Sequence, residues 1–336
     1  MGEYLSSPIK EKFSLDGENE ILRYGCTFMQ GWRKRMEDAH ITDIDIGPNK
    51  DTQLFAVFDG HGGKEVAVFV GKHFTEEFLK TESYNKGDIK SALEETFIKM
   101  DELMLEEPGI SELIEIAKES KIEDKKRIEN TREAQLTALR DPIDPKLKPG
   151  AKVALFTGCT AITMCLYKKT LYFANAGDSR AILVKKGIAY PMSIDHKPSL
   201  KHEIERIEKA GGWISDGRIL GNINLTRGLG DCEYKLDKNL SPKDQIISDF
   251  PDVKVEPFSD DIDYAVVACD GIWDCKTNQE CADYFNEKLS KLSPGEKISG
   301  TIETLLDDIC ATDVYNEKGI GCDNMSCIVI QFKHRN

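Results

Sequence analysis

Short apolar runs of strand length punctuate this chain. They fall at residues 24–30, 54–58, 161–167, 171–174, 181–184, 264–269 and 326–332. Each is rich in β-branched and aromatic residues and is bounded by turn residues or charges, which predicts a strand. Apolar residues at helical spacing occupy 64–80, 88–105, 278–289 and 298–311. Strands and helices do not alternate strictly, so a parallel βαβ sheet fits poorly. Runs of strands beside blocks of helix predict an α+β fold in which one sheet packs on another, with helices outside.

One segment breaks the pattern. Residues 101–150 carry 13 acids and 9 bases in 50 residues, too much charge for a core of their own. Good helix formers at 111–139, with Leu113, Ile116, Ala117, Ile128 and Leu139 as the apolar positions, give way to Pro142, Pro145 and Pro149. The expectation is a mostly helical, solvated arm inserted into a single domain that spans 1–336, with its core at about 20–332.

Composition narrows the function. Fifty-nine acids against 45 bases give a formal net charge of −14, which disfavours a nucleic-acid partner or adsorption to an anionic membrane. No run approaches the ~20 apolar residues of a spanning helix, and the opening MGEYLSSPIKEKFSLDGENE has no apolar signal-peptide core. The ten cysteines are scattered, with no C-x-x-C pair. They read as reduced, buried small hydrophobes of an intracellular protein, with a cytoplasmic or nuclear location expected. The first six residues fit the N-myristoylation pattern at Gly2; one acyl chain would add only weak membrane association.

Candidate chemistry lies where apolar runs end. LFAVFDGHGG (54–63) and YAVVACDGIWD (264–274) carry a strand straight into Asp-Gly, and GCDNMSCIVI (321–330) leads from Asp-Asn into a strand. A single Asp-Gly is usually only a turn. Three strand-end aspartates, Asp59, Asp270 and Asp323, can converge, and converging carboxylates call for a hard divalent cation such as Mg²⁺ or Mn²⁺. GWRKRMEDAH (31–40) sets Arg33, suited to a planar two-bond grip on phosphate, before Glu37 and Asp38. His61, on the turn beside Asp59, is a candidate general acid. Asp178 in NAGDSR is a candidate ligand for a further metal. The residues alone leave open an inactive binding module, a hydrolase of small phosphate esters, or a scaffold built around 101–150.

RMEDAH, VFDGHGG, NAGDSR, DHKPS (195–199), TRGLGD (226–231), CDGIWD and CDNMS, taken together and in this order, resemble the type 2C, metal-dependent protein serine/threonine phosphatases over about residues 20–332. The resemblance implies a four-layer α/β/β/α sandwich of two antiparallel sheets flanked by helices. It implies two Mg²⁺ or Mn²⁺ ions held by Asp59, the Gly60 carbonyl, Asp270 and Asp323, with Glu37 and Asp38 orienting metal-bound water. It implies a weaker third site at Asp178 and Asp274, together with Asp270. The attacking hydroxide is expected to bridge the two metals, with Arg33 on the phosphate and His61 protonating the leaving oxygen. Phosphorylated proteins are the expected substrates, and a monomer the expected state. Residues 212–224 and 241–250 match the family pattern less well, in the region where a flap beside the cleft is expected.

Overall fold

In the computed structural model, residues 4–128, 151–293 and 295–333 are described. Gly2 and residues 129–150 of the charged segment lie outside them. Two antiparallel sheets form the centre. One has six strands in the order Ile9–Glu18, Leu22–Gly31, Met325–Phe332, Ile262–Ala268, Arg180–Lys185 and Ile188–Pro191. The other has five, in the order Asp252–Pro257, Thr170–Ala176, Ala161–Tyr167, Thr52–Phe58 and Ala39–Ile46.

Alternation within each strand explains the layers. In Thr52–Phe58, Phe55 and Val57 enter the core between the sheets, with Ile162, Phe173, Val267 and Ile328. Leu54, Ala56 and Phe58 point the other way, into a core shared with Phe69, Phe74 and Phe97 of helices Glu65–Lys80 and Ile89–Leu105. In Ile262–Ala268, Tyr264, Val266 and Ala268 meet Phe285, Ile302 and Leu305 of helices Asn278–Ser290 and Ser299–Ile309. Central strands buried on both faces thus read as continuous apolar runs, and the expected helix–sheet–sheet–helix sandwich is the observed fold. Nine of the ten free cysteines are buried, and Cys275 is intermediate.

The start of the charged segment is not a solvated arm. Helix Glu107–Ile128 packs on Glu65–Lys80 and Ile89–Leu105. Leu113 is fully buried in the helix-side core, with Ile116 beside it. Charge on the outer face was compatible with a buried apolar stripe on the inner one. Asp101 is buried too, against Lys235.

Candidate active site

The site grows from strand ends. Thr52–Phe58 is fixed by packing on both faces and stops at Asp59, whose carbonyl accepts the Thr160 N–H at 2.8 Å. Gly60 follows because the Glu37 backbone crosses over it. A Cβ at Gly60 would stand 3.1 Å from the Glu37 carbonyl carbon and nearer still to its oxygen. Asp270 opens the single turn Asp270–Trp273 after strand Ile262–Ala268. Asp178 lies between Thr170–Ala176 and Arg180–Lys185, and Asp323 just before Met325–Phe332. Buried Asn324 ties these parts together: it donates to the carbonyls of Gln30 (2.8 Å) and Arg35 (2.9 Å) and accepts the Glu37 N–H at 3.0 Å.

Electrostatics mark the place as unusual. Burial pushes the Asp59 carboxyl well above its ordinary range, and Asp38, Asp270, Asp323 and Asp178 push it further. Asp270 is raised strongly by burial and then by Asp178, Asp323 and Asp274. Burial raises Asp38 to about 7 although Ser326 Oγ–H donates to its Oδ2 at 2.6 Å. Burial also leads the upward shifts of Glu37, Asp274 and Asp323, the last opposed by Arg33. Two side-chain cations answer part of this charge: Arg33 donates to Asp323, and Lys197 donates to Asp178.

The donor chemistry fits hard divalent cations. Every candidate ligand is an oxygen, the carboxylates disfavour one another's ionisation, and Asp38 Oδ1 is buried without a hydrogen-bond partner. Among the described residues, no group of three or more His, Cys, Asp or Glu side chains is drawn together closely enough to hold a metal ion as the side chains stand. Two of the carboxylates, Asp323 and Asp178, are turned to Arg33 and Lys197 instead.

A cleft of about 340 Å³ gathers seven of the candidate residues: Arg33, Asp59, Gly60, His61, Asp178, Asp270 and Asp323. Glu37, Asp38 and Asp274 do not line it. Each still acts on a lining group: Glu37 on His61, Asp38 on Asp59, and Asp274, although exposed, on Asp270. Another part of the lining comprises Arg218, Asn222 and Tyr234. It is built around the small ribbon Ile214–Ser215 and Arg218–Ile219 and pinned by the Asn222–Tyr234 hydrogen bond of 2.9 Å. The expected flap at 212–224 therefore does border the cleft, whereas 241–250 does not line it.

Some residues at the site had no role in the sequence reading. Asp231, the last residue of TRGLGD, meets His61 Nε2 at 2.6 Å. Burial pulls the His61 imidazole down, Asp231 more than offsets this, and the group titrates above its ordinary value. Lys197 of DHKPS and Asn324 of CDNMS also belong here. Their motifs were visible, but a motif gives no partner until the chain folds.

A family model for Protein phosphatase 2C matches residues 22–112 and 110–316. "Probable protein phosphatase 2C 6" of Paramecium tetraurelia is 44% identical over 333 residues, covering 99% of this chain and 100% of that one. "Probable protein phosphatase 2C 21" of Arabidopsis thaliana is 41% identical over 345 residues, covering 100% and 94%. Among solved structures, a phosphatase from a pathogenic strain of Toxoplasma gondii superposes with TM-score 0.67 at 20% identity, covering 97% and 96%. Serine-threonine phosphatase 2C from Toxoplasma gondii gives TM-score 0.64 at 17% identity, covering 96% and 99%. The structural likeness bears on the fold.

Proposed function

The chain belongs to the protein phosphatase 2C family, and from that premise we propose that it hydrolyses phosphoserine and phosphothreonine esters of proteins with two divalent cations in the cleft. The observation that carries this reading is that Asp59, Asp270 and Asp323 line one cleft, each pushed towards its neutral form by burial and by its neighbours. Asp59, the Gly60 carbonyl, Asp270 and Asp323 would hold two Mg²⁺ or Mn²⁺ ions, and Asp178 and Asp274, with Asp270, a weaker third. Bound cations of this kind lower the pKa of water and offset charge on phosphoryl oxygens.

The chain's own residues do the rest. Glu37 and Asp38 orient the attacking water, the orphaned Asp38 Oδ1 being an acceptor that lacks a donor. Arg33, nearly half exposed in its side chain and lining the cleft, grips the phosphate. His61 gives a proton to the departing serine or threonine oxygen, which leaves poorly as an alkoxide. No helix among the described residues is long and apolar enough to cross a membrane.

The direct test is turnover of phosphoserine, phosphothreonine and phosphotyrosine peptides, with Mn²⁺ and after dialysis against chelator. Hydrolysis of the first two that depends on Mn²⁺ is expected. Full turnover in excess chelator would reject the metal reading, and preference for small esters alone would favour the rival hydrolase.

A further inference from the structure

Three two-residue strands, Gly60–His61, Gly158–Cys159 and Leu229–Gly230, form a small sheet at the edge of the cleft. Gly158 is the central position, opposite His61 on one side and Gly230 on the other. Asp231 follows Gly230 with φ of +47°, a left-handed conformation that Asp adopts more readily than most non-glycine residues. That turn brings its carboxylate back across Gly158 to His61 Nε2, 2.6 Å away. A Cβ at Gly158 would stand 2.7 Å from that nitrogen and closer to the carboxylate, so only glycine leaves room for the pair. Both residues line the cleft, the His61 ring 30% exposed and the Asp231 side chain 5%.

The loop that carries Asp231 is clamped from helix Ile89–Leu105. Asp101 Oδ1 accepts the Gly230 N–H at 2.8 Å, and its Oδ2 accepts from Lys235. Lys235 also donates to the Gly228 carbonyl at 2.7 Å. The Asp231 N–H donates to the Thr157 carbonyl at 3.0 Å. The loop is thus held at Gly228, Gly230 and Asp231 by the buried Asp101–Lys235 pair and the Thr157 carbonyl, which fixes where the Asp231 carboxylate points.

We propose that Asp231 is the positioning residue for His61. Its buried carboxylate accepts the Nε2–H, fixes the ring's tautomer and rotamer, and leaves Nδ1 to face the substrate, with Gly158 supplying the space and Asp101 the clamp. This rests on His61 being the proton donor to the leaving oxygen. In that step the bond from phosphorus to the serine or threonine oxygen breaks as the bond to the water oxygen forms. The proton on Nδ1 passes to the departing oxygen. The ring, neutral afterwards and still bonded to Asp231 through Nε2–H, regains its proton from solvent.

The test is a double-mutant cycle on the full chain in saturating Mg²⁺, with a phosphothreonine peptide and p-nitrophenyl phosphate as substrates. A nitrophenolate departs without a proton, so loss of orientation shows on the peptide. Asp231→Asn should lower kcat on the peptide roughly 10–100-fold and on the nitrophenyl ester by about threefold or less. It should cost no more than about twofold on top of His61→Gln. Gly158→Ala should follow the same pattern. Unequal losses for His61→Gln with equal losses for Asp231→Asn, or additive losses in the double variant, would overturn this proposal alone. Equal losses for His61→Gln on both esters would overturn the proton-donor reading and this proposal with it. Should Asp231→Asn and Gly158→Ala not fold, the imidazole ¹⁵N spectrum of the wild-type protein decides. An exchange-protected Nε2–H on His61 supports the contact, and a bare Nε2 overturns it.

Discussion

Arg33 donates a hydrogen bond to Asp323 within the cleft lining, joining the proposed phosphate ligand to a proposed metal ligand. The two lie 290 residues apart in the chain, and both side chains keep some exposure. On the proposed roles, their bond is one that substrate and cation would compete to replace.

Arg33→Ala should therefore lower kcat/KM on a phosphopeptide roughly 10–100-fold, as expected for losing a charge-assisted bond of about 1.5–3 kcal/mol. The Mg²⁺ concentration for half-activation should hold or fall, because Asp323 is freed. Steady-state kinetics over a Mg²⁺ series checks both. An unchanged kcat/KM would remove Arg33 from phosphate binding.

Asp59→Asn should cut turnover by at least about 10²-fold at saturating Mg²⁺ while the fold survives. In chelator its melting temperature should equal or exceed that of the wild type. A carboxyl whose folded pKa is raised favours folding when neutral and opposes it as pH rises and it ionises. The variant's advantage should accordingly grow from pH 5 to pH 8. Near-normal turnover would mean that the site is elsewhere.

Glu203 gives the opposite sign. Burial alone would raise its carboxyl, but Arg227 and Arg206 outweigh burial and hold it at about 2, below the ordinary 4.5. Its contribution, on the order of 3 kcal/mol, is complete above pH 4.5 and is lost as pH falls towards 2. Urea unfolding of wild type and Glu203→Gln should show a full stability gap at pH 7 and pH 5 that narrows below pH 4.5. A gap that ignores pH would contradict this account.

Leu113→Ala should destabilise the protein by about 2–5 kcal/mol, because the side chain is fully buried among the helix-side core residues. Glu115→Ala, on an exposed ion pair with Lys118, should cost under about 0.5 kcal/mol. Thermal melts of the two variants compare them directly. Equal, small effects would restore the picture of a free arm.

All seven strands expected from apolar runs are interior strands of the two sheets. The four long strands that escaped notice, Ile9–Glu18, Ile188–Pro191, Ala39–Ile46 and Asp252–Pro257, are the four edges. An interior strand is covered on both faces and writes itself as an unbroken hydrophobic run. An edge strand is polar, often on both faces, and Asp252–Pro257 has no buried residue at all. The site divides the same way. Asp59, Asp270 and Asp323 stand beside such runs and could be found. Asp231 acts through two-residue strands with no periodicity to detect. Asp101, Glu203 and Lys235 are charged residues that composition assigns to the surface, and only their partners make them buried.

The strand order also sets a timetable. Met325–Phe332 lies between Leu22–Gly31 and Ile262–Ala268, hydrogen-bonded to both. During synthesis the ribosome adds about 300 residues between Gly31 and Met325, which takes on the order of 15–60 s at about 5–20 residues per second. Leu22–Gly31 has no inner neighbour for that whole interval, and once Ile262–Ala268 has been made it too waits with an unpaired edge until Met325–Phe332 follows. The late strand thus closes the sheet from the middle, so a chain that stops short of it leaves two apolar strand edges exposed to its neighbours.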